Sequence, residues 1–391
     1  MGWIGALPRA MVAATLALGC AACSPLRGLE ASQLGLDAAG GSRGAVQSAT
    51  ARRPVVLAGQ PGDLYLVGEA PLAALVMVPG VTPEGRDDPR LIAFAGSLAR
   101  HRFLVFVPDL PGLREQRVSR GDPAAITKAA DALATCFADG SAARLGVVAI
   151  SYAVGPALLA ALDGAGGRRI GLVVGIGGYH DVVSAITYLT TGYYRPVAGA
   201  GWYPGAPEPT ARWVFLLASA PHVPSPEDRE LLAGIARARL ADPRTDTRAM
   251  EARLGAGGRA TLALAANLDP ERVPGLIAAL PEPLRDDIEA LDLANRSLQA
   301  LPAHLLLIHG RDDPLIPATE SQALASAVPP GQADLFVVGN LSHVEIHPGG
   351  VVDTVRLWQA AYRLLSLRAT LTVPDPDRCA IAPPAAPRTS G

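Results

Sequence analysis

Three residues of the chain, Ser151, Asp313 and His343, have the types and the order needed for nucleophilic catalysis. A serine hydroxyl is a weak nucleophile at neutral pH, so a neutral imidazole must accept its proton during attack, and a carboxylate must hold that imidazole in the correct tautomer. Each of the three residues follows an apolar run that predicts a strand. The sequence therefore predicts a Ser-His-Asp catalytic triad that acts through an acyl-enzyme.

Ser151 lies where a predicted strand turns into a predicted helix, in the segment Ala149-Ile-Ser-Tyr-Ala153. A serine in such a sharp turn has strained backbone angles and needs small residues two places before and after it. Alanine meets that need at both positions, although the usual motif has glycine there. The alternative interpretation is a serine that caps the helix beginning near Tyr152, a role that requires no catalysis.

The base and the acid each have a competitor in the sequence. His347 competes with His343, which we prefer because of its position in a loop between a strand and a helix. His309 ends a strand and is interpreted as a hydrogen-bonded strand-end residue. Asp181, just after another strand, is the alternative acid, whereas Asp109 is interpreted as shaping a turn.

Apolar runs alternate with helical patterns over much of the chain. Strands buried on both faces are near-continuous apolar runs, and alternation with helices implies a mainly parallel sheet. The segment 55–67 can add one or two antiparallel strands before the parallel set. The predicted fold class is therefore α/β, with a mainly parallel sheet of about eight strands flanked by helices. The predicted parallel strands are residues 73–78, 103–108, 145–150, 170–176, 305–309 and 334–338.

The order of the three candidate residues and several motifs resemble the α/β-hydrolase-fold proteins of the serine esterase and lipase type. The resemblance covers about residues 55–367. Its most specific segment, Gly310-Arg-Asp-Asp-Pro-Leu-Ile-Pro317, selects Asp313 over Asp312. The other motifs are Val78-Pro-Gly-Val, Val107-Pro-Asp-Leu-Pro-Gly, the Ser151 elbow and the loop that carries His343.

The resemblance also implies an oxyanion hole made of backbone N–H groups, here those of Val81 and Tyr152. The family usually has His-Gly where this chain has Pro79-Gly80. Proline at position 79 therefore bears on where the first donor lies.

Between residues 179 and 302 the alternation of strands and helices breaks, and mainly helical patterns follow. The resemblance implies a helical cap here, with residues 54–178 and 303–370 as the α/β-hydrolase core. Aromatic residues are concentrated in the first part of this cap. They either line an apolar substrate pocket or join cap to core, and the sequence leaves both interpretations open. The candidate pocket residues are Tyr179, Tyr193, Tyr194 and Trp202.

Residues 1–23 predict an export signal, because a short apolar segment after Arg9 is followed by small residues and cysteines. Cys20 or Cys23 resembles the lipidated first residue of a bacterial lipoprotein, although neither has the preferred leucine three places before it. Secretion with cleavage near Ala22, or an uncleaved anchor, are the alternatives. We expect the protein at the bacterial cell envelope as a membrane-anchored lipoprotein, in the periplasm, or secreted.

The two ends of the exported chain differ in composition from its middle. Residues 24–53 are rich in Ala, Gly and Ser and predict a flexible tether. Residues 371–391 are rich in Pro and Ala and predict a loose tail. An oxidising compartment would allow a disulfide between Cys136 and Cys379, which would fix the start of that tail.

The composition limits the functions to be considered. A formal net charge of -2 in 391 residues gives no electrostatic reason to expect a nucleic-acid partner. No Cys or His cluster has the spacing of metal ligands, and the proposed chemistry needs no cofactor.

Two classes of function remain. The sequence favours an exported serine hydrolase that cleaves a carboxylic ester of a hydrophobic small molecule or lipid, with thioester, amide and acyl-transfer chemistry as variants. The alternative is a non-catalytic envelope lipoprotein that kept the α/β-hydrolase fold as a binding or scaffold protein, since a fold does not fix a function.

Overall fold

The structure is a computed structural model, and it describes residues 24–39, 52–164, 167–196, 200–339, 341–343, 345–347 and 350–379. The predicted export signal with Cys20 and Cys23 lies outside the described residues, as does the tail after Cys379.

The strands of the described chain are mostly short and apolar. Two pairs, each of two residues per strand, form small hairpins, and the other strands form one sheet. In chain order the strands are β1 (Arg52–Leu57), β2 (Gln60–Tyr65), β3 (Ala73–Val78), β4 (Phe103–Pro108), β5 (Leu145–Ile150), β6 (Ile170–Ile176), β7 (Tyr193–Tyr194), β8 (Tyr203–Pro204), β9 (His304–Gly310), β10 (Ala333–Val338), β11 (Leu341–Ser342) and β12 (Glu345–Ile346).

The main sheet has eight strands in the order β1-β2-β4-β3-β5-β6-β9-β10. Neighbouring strands in this sheet are parallel, except that β2 is antiparallel to both β1 and β4. The central strands β3, β4, β5 and β6 are buried almost throughout, which explains their continuous apolar runs. The predicted fold class is confirmed, and the predicted parallel strands begin and end within about one residue of the observed ones.

Helices cover both faces of this sheet. One face buries side chains such as Ile126, Leu158 and Leu324 under the helices of residues 122–134, 154–162 and 319–327. The other face buries Leu98 and Leu364 under the helices of residues 25–39, 89–100 and 351–367. No helix in the described ranges is both long and apolar enough to cross a bilayer. The helices are α1 (Pro25–Ala39), α2 (Pro89–Arg100), α3 (Pro111–Arg114), α4 (Asp122–Ala134), α5 (Val154–Leu162), α6 (Val182–Thr191), α7 (Ala211–Ser219), α8 (Pro226–Ala241), α9 (Arg248–Glu251), α10 (Ala256–Ala265), α11 (Val273–Ala278), α12 (Glu282–Leu291), α13 (Thr319–Ala327) and α14 (Val351–Leu367).

Helices α6 to α12 lie between β6 and β9 in the chain and have an apolar core of their own. Leu232, Ile235 and Leu264 are fully buried in it. The apolar run 213–218, whose sequence fits either a strand or a buried helix, lies inside helix α7. This helical segment contacts the sheet domain through specific bonds, such as the Glu208 N–H to the Pro314 carbonyl at 2.9 Å.

The structure contradicts the prediction of a flexible tether for residues 24–39 and 52–53, the parts of the segment 24–53 that it describes. Residues 25–39 form α1, which buries Ala31 and Leu34 and packs on α14. The indole N–H of Trp358 donates to the Gly28 carbonyl at 3.2 Å. The composition was misleading because alanine favours helices strongly, and small residues let α1 approach α14 closely without an obvious apolar stripe.

The structure also corrects the prediction of a loose tail for the part of that tail that it describes. Cys136 and Cys379 are joined in a disulfide and are both buried. The Asp375 N–H donates to the Cys136 carbonyl at 2.7 Å, and the Thr372 N–H donates to the Arg144 carbonyl at 2.8 Å. These bonds fix residues 371–379 against the core.

Candidate active site

Ser151 occupies a strained turn directly after β5. Its φ is 57°, in the left-handed region that non-glycine residues rarely adopt. A 3₁₀ turn covers residues 151–153, and α5 begins at Val154. Ala149 and Ala153 are fully buried on either side of the turn, at the two positions where such an elbow requires small residues. The local sequence thus places the serine hydroxyl at the carboxyl edge of the sheet.

The structure brings the three predicted catalytic residues together. Nε2 of His343 lies 2.7 Å from Oγ of Ser151, and Nδ1 of His343 lies 2.8 Å from Oδ2 of Asp313. These are hydrogen-bond distances, as a base and its orienting acid require. His343 also has a left-handed φ, of 52°. Two residues of this site therefore have a sparsely populated backbone conformation.

The Asp313 carboxylate is buried and accepts several hydrogen bonds from the surrounding protein. Its Oδ1 accepts hydrogen bonds from the N–H groups of Leu315, at 2.8 Å, and Ile316, at 3.0 Å. Burial acts to raise the pKa of Asp313, but hydrogen bonds from His309 and His343 outweigh it and hold that pKa well below its usual value. Asp313 therefore remains ionised and can stabilise an imidazolium at His343.

Two of the competing residues, Asp181 and His309, have other partners. Asp181 caps α6, accepting a hydrogen bond from the Ser184 N–H at 2.9 Å. The Nε2–H of His309 donates to the Ile316 carbonyl at 2.9 Å, as expected of a hydrogen-bonded strand-end residue. Its additional contact with Asp313, at 3.4 Å, was not predicted. His347 is exposed.

Gly177, which was not predicted from the sequence to belong to the site, lies against the His343-Asp313 pair. Its φ is 63°, and an added Cβ would lie 3.3 Å from Nδ1 of His343 and 3.4 Å from Oδ2 of Asp313. Glycine avoids both the backbone strain and the crowding. The available signal was the Gly-Gly pair that follows β6.

The predicted oxyanion donors lie beside the nucleophile. Val81 and Tyr152 line the same cavity as Ser151. A Cβ built on Gly80 would lie 3.4 Å from Cβ of Ser151, so the loop after β3 passes directly along the elbow. Proline in place of the usual histidine at position 79 therefore still leaves this loop next to the serine.

The side chain of Tyr152 is held on both sides. Its hydroxyl donates to Oδ2 of Asp122 at 2.7 Å, and its ring stacks on Tyr179 with a centroid distance of 6.3 Å. The Tyr179 hydroxyl in turn donates to the Leu291 carbonyl at 3.1 Å. Burial raises the pKa of Asp122. These contacts fix the residue that follows the nucleophile, and their partners are too distant in sequence for a pattern to reveal.

A cavity of about 1430 Å³ opens at Ser151 and His343. Typical small-molecule sites have roughly 300–1,000 Å³, so this one is large. Tyr179, one of the predicted pocket residues, belongs to its wall. Within the described residues, no cluster of His, Cys, Asp and Glu side chains could hold a metal ion.

The other three predicted pocket residues lie elsewhere, which corrects the prediction. Tyr193 and Tyr194 form β7 and pair with β8 in a hairpin of the helical segment. The Trp202 indole donates to Glu271 at 2.7 Å, and the Arg195 guanidinium lies 3.9 Å from the centroid of the indole ring. Trp202 thus stabilises a partly exposed hairpin, because its indole N–H and its ring face both have charged partners there.

No family model and no curated protein sequence matches the chain. Solved structures are similar to it at low identity. A meta-cleavage product hydrolase from Pseudomonas fluorescens IP01 is 19% identical over 80% of this chain and 97% of that one, with a TM-score of 0.43. A 2-hydroxy-6-oxo-6-phenylhexa-2,4-dienoate hydrolase from Rhodococcus sp. strain RHA1 is 17% identical over 81% and 97%, with a TM-score of 0.41. A serine hydrolase from the polyaromatic hydrocarbon-degrading bacterium Cycloclasticus zankles is 14% identical over 81% and 96%, also with a TM-score of 0.41. The assignment of the α/β-hydrolase fold rests on the sheet order and the elbow of this chain itself.

Proposed function

We propose that the protein is a serine hydrolase that cleaves a carboxylic ester of a hydrophobic small molecule or lipid. The observation that carries the proposal is the unbroken hydrogen-bonded series from Ser151 Oγ through His343 to Asp313, in the wall of a large cavity. Nucleophile, base and orienting acid are thereby within reach of one another and of a bound carbonyl group.

In the proposed reaction, Ser151 Oγ attacks the carbonyl carbon while His343 Nε2 accepts the hydroxyl proton. The N–H groups of Val81 and Tyr152 stabilise the negative charge that develops on the carbonyl oxygen. Collapse of the tetrahedral intermediate breaks the bond to the alcohol, which leaves with the proton from His343. Water then attacks the acyl-enzyme with His343 as base, which releases the acid and returns a proton to Ser151.

The walls of the cavity support a hydrophobic substrate. Aliphatic and aromatic side chains such as Ile186, Phe215 and Leu284 form much of its surface near the helical segment. A substrate group that fills this space gains stability through the removal of apolar surface from water.

We further propose that the enzyme acts outside the cytoplasm, at the cell envelope, attached through a lipidated Cys20 or Cys23 or free in the periplasm. The disulfide between Cys136 and Cys379 supports an oxidising compartment. A non-catalytic scaffold is not favoured, because two strained residues would have no reason to persist at an unused site.

The test is labelling of the purified protein with a fluorophosphonate probe, which reacts with activated serines whatever the natural substrate. We expect labelling of the wild type and none of Ser151→Ala or His343→Ala. Ser326→Ala removes an exposed serine and His304→Ala removes a histidine that also pairs with a carboxylate, and both should label normally. Labelling that survives in Ser151→Ala, or a folded wild type that never labels, would contradict the proposal.

A further inference from the structure

The cavity at Ser151 extends in two directions. One arm lies under the helical segment, against Val182, Phe215 and Leu284. The other arm, which we call the α1 arm, is lined by the ends of the sheet strands and by residues of the helices α1, α2 and α14. Its wall includes Gly35 of α1, within the stretch that the sequence predicted to be a tether.

The wall of the α1 arm is apolar on both sides. Ile150, Ile176 and Ile308 form its side on the sheet, each at or near the carboxyl end of a central strand. Leu357 and Ala361 of α14 are among the residues opposite. Because these strands also carry the catalytic loops, the arm begins directly beside Ser151.

The polar side chains in this wall already have partners. The Ser32 hydroxyl donates to the Gly28 carbonyl at 3.0 Å and accepts from the Trp358 indole at 3.1 Å. The Thr354 hydroxyl donates to the Gly350 carbonyl at 3.1 Å. These groups therefore offer little to a polar ligand.

The two charged residues in the wall, at the start of α2, pair with each other. The carboxylate of Asp88 and the guanidinium of Arg90 are 2.8 Å apart. Burial acts to raise the pKa of Asp88, but hydrogen bonds from Arg90 outweigh it and lower that pKa, so the carboxylate stays ionised in the pair. Because the two charges pair with each other, neither indicates that the arm binds a charged group of the substrate.

We propose that the α1 arm binds an unbranched hydrocarbon chain of the substrate, while the group on the other side of the scissile carbonyl lies under the helical segment. The inference rests on the proposed function and narrows its substrate to an ester with apolar groups on both sides. Helix α1 is then part of the substrate-binding site. Each methylene that enters an apolar site strengthens binding by roughly fourfold.

The chain offers a substitution that fills this arm. A Cβ built on Gly35 meets no atom within 4 Å, so a large side chain there has room to enter the arm. Replacement of glycine within a helix also favours the helical state, which protects the fold. Gln33, on the exposed face of the same helix, provides the matched control.

The experiment compares labelling rates with two alkyl fluorophosphonates, one with an ethyl group and one with a hexadecyl group. We expect the wild type to react faster with the hexadecyl probe. Gly35→Phe should lower the ratio of the two rates at least tenfold, and Ala361→Phe, on the opposite wall, should also lower it. Gln33→Phe should keep the wild-type ratio.

The two probes separate the failure of this inference from that of the proposed function. Absence of ethyl-probe labelling in the wild type contradicts the hydrolase itself. Normal ethyl-probe labelling with equal rates for both probes contradicts only the α1 arm. A ratio that Gly35→Phe and Ala361→Phe leave at the wild-type value would also overturn the inference, because the chain would then lie elsewhere.

Discussion

The two ends of strands β9 and β10 each carry a histidine paired with an aspartate. At the carboxyl end, His343 Nδ1 lies 2.8 Å from Asp313 Oδ2. At the amino end, His304 Nε2 lies 2.6 Å from Asp334 Oδ2. Judged by the distance within the pair alone, the second is as good a catalytic dyad as the first.

The surroundings distinguish the two pairs. Asp313 is 1% exposed, and Nε2 of its partner His343 faces Ser151. The side chain of Asp334 is 28% exposed, and Arg363 Nε lies 2.6 Å from the carboxylate. Burial acts to raise the pKa of Asp334, but Arg363 and His304 outweigh it and lower that pKa. A reactive pair is therefore identified by its third partner and by the exclusion of water, not by its own geometry.

The largest contrast is expected from the same substitution at both ends. Asp313→Asn should lower kcat for p-nitrophenyl butyrate by about 10⁴-fold, because an amide leaves His343 in the wrong tautomer. Asp334→Asn, at the amino end, should change kcat less than about twofold, since surface ion pairs contribute little. Comparable losses in both variants would mean that the amino-end pair has a part in the reaction.

A smaller loss of kcat is expected when alanine replaces one of two glycines that have a positive φ. Gly177, with φ of 63°, lies against the His343-Asp313 pair, whereas Gly331, with φ of 81°, precedes β10 and has open space around it. Alanine at either position should cost about 1–2 kcal/mol of unfolding free energy, measured by urea denaturation. Only Gly177→Ala should also lower kcat, by at least about tenfold, because it displaces His343.

A milder loss of kcat is expected when the hydrogen bond that holds Tyr152, next to the Ser151 elbow, is removed. Tyr152→Phe removes the hydrogen bond to Asp122 while keeping the ring stacked on Tyr179. We expect kcat to fall about three- to tenfold with KM nearly unchanged, because the substitution loosens an oxyanion donor rather than a binding contact. Thr135→Val, which removes a hydroxyl bonded to the Ala132 carbonyl at the end of α4, is the control and should keep wild-type kcat. A rise in KM alone would assign Tyr152 to substrate binding instead.

The smallest effect concerns acid stability. The folded pKa of Asp313 is lowered from its usual value of 3.8, so its contribution is fully present above that pH and is lost as pH falls through the lower, folded pKa. Asp334 has the same sign, but its greater exposure makes its share smaller. Urea denaturation between pH 5 and pH 2 should therefore show a weaker pH dependence in Asp313→Asn than in Asp334→Asn. The reverse order would place the stronger interaction at the amino end.

The strands and the candidate triad were predictable because both depend on local features. Central strands buried on two faces must be apolar throughout, and Ser151, Asp313 and His343 each follow such a run. Helix α1 was missed because it is stabilised by contacts with α14, more than 300 residues away, such as the Ser24 N–H to the Tyr362 hydroxyl at a sequence separation of 338. Packing of this kind leaves little periodicity in the segment itself.

The aromatic residues show a second limit of sequence reasoning. Tyr179 and Trp202 lie in the same aromatic-rich stretch, yet one lines the cavity and the other contacts Glu271 on a hairpin. The difference depends on where the chain turns after α6, at Gly192 with its φ of 80°. Composition records how many rings a segment has, and only the fold decides which of them meet a ligand.

The disulfide between Cys136 and Cys379, separated by 243 residues, closes a covalent loop of the chain. Ser151, Asp313 and His343 all lie within that loop. A protease that cuts one exposed loop of the helical segment would therefore release no fragment, because both pieces stay joined through sulfur. On a gel without reductant, a molecule cut once in this way would therefore run as a single band. Ser151, Asp313 and His343 would still belong to one covalently joined molecule.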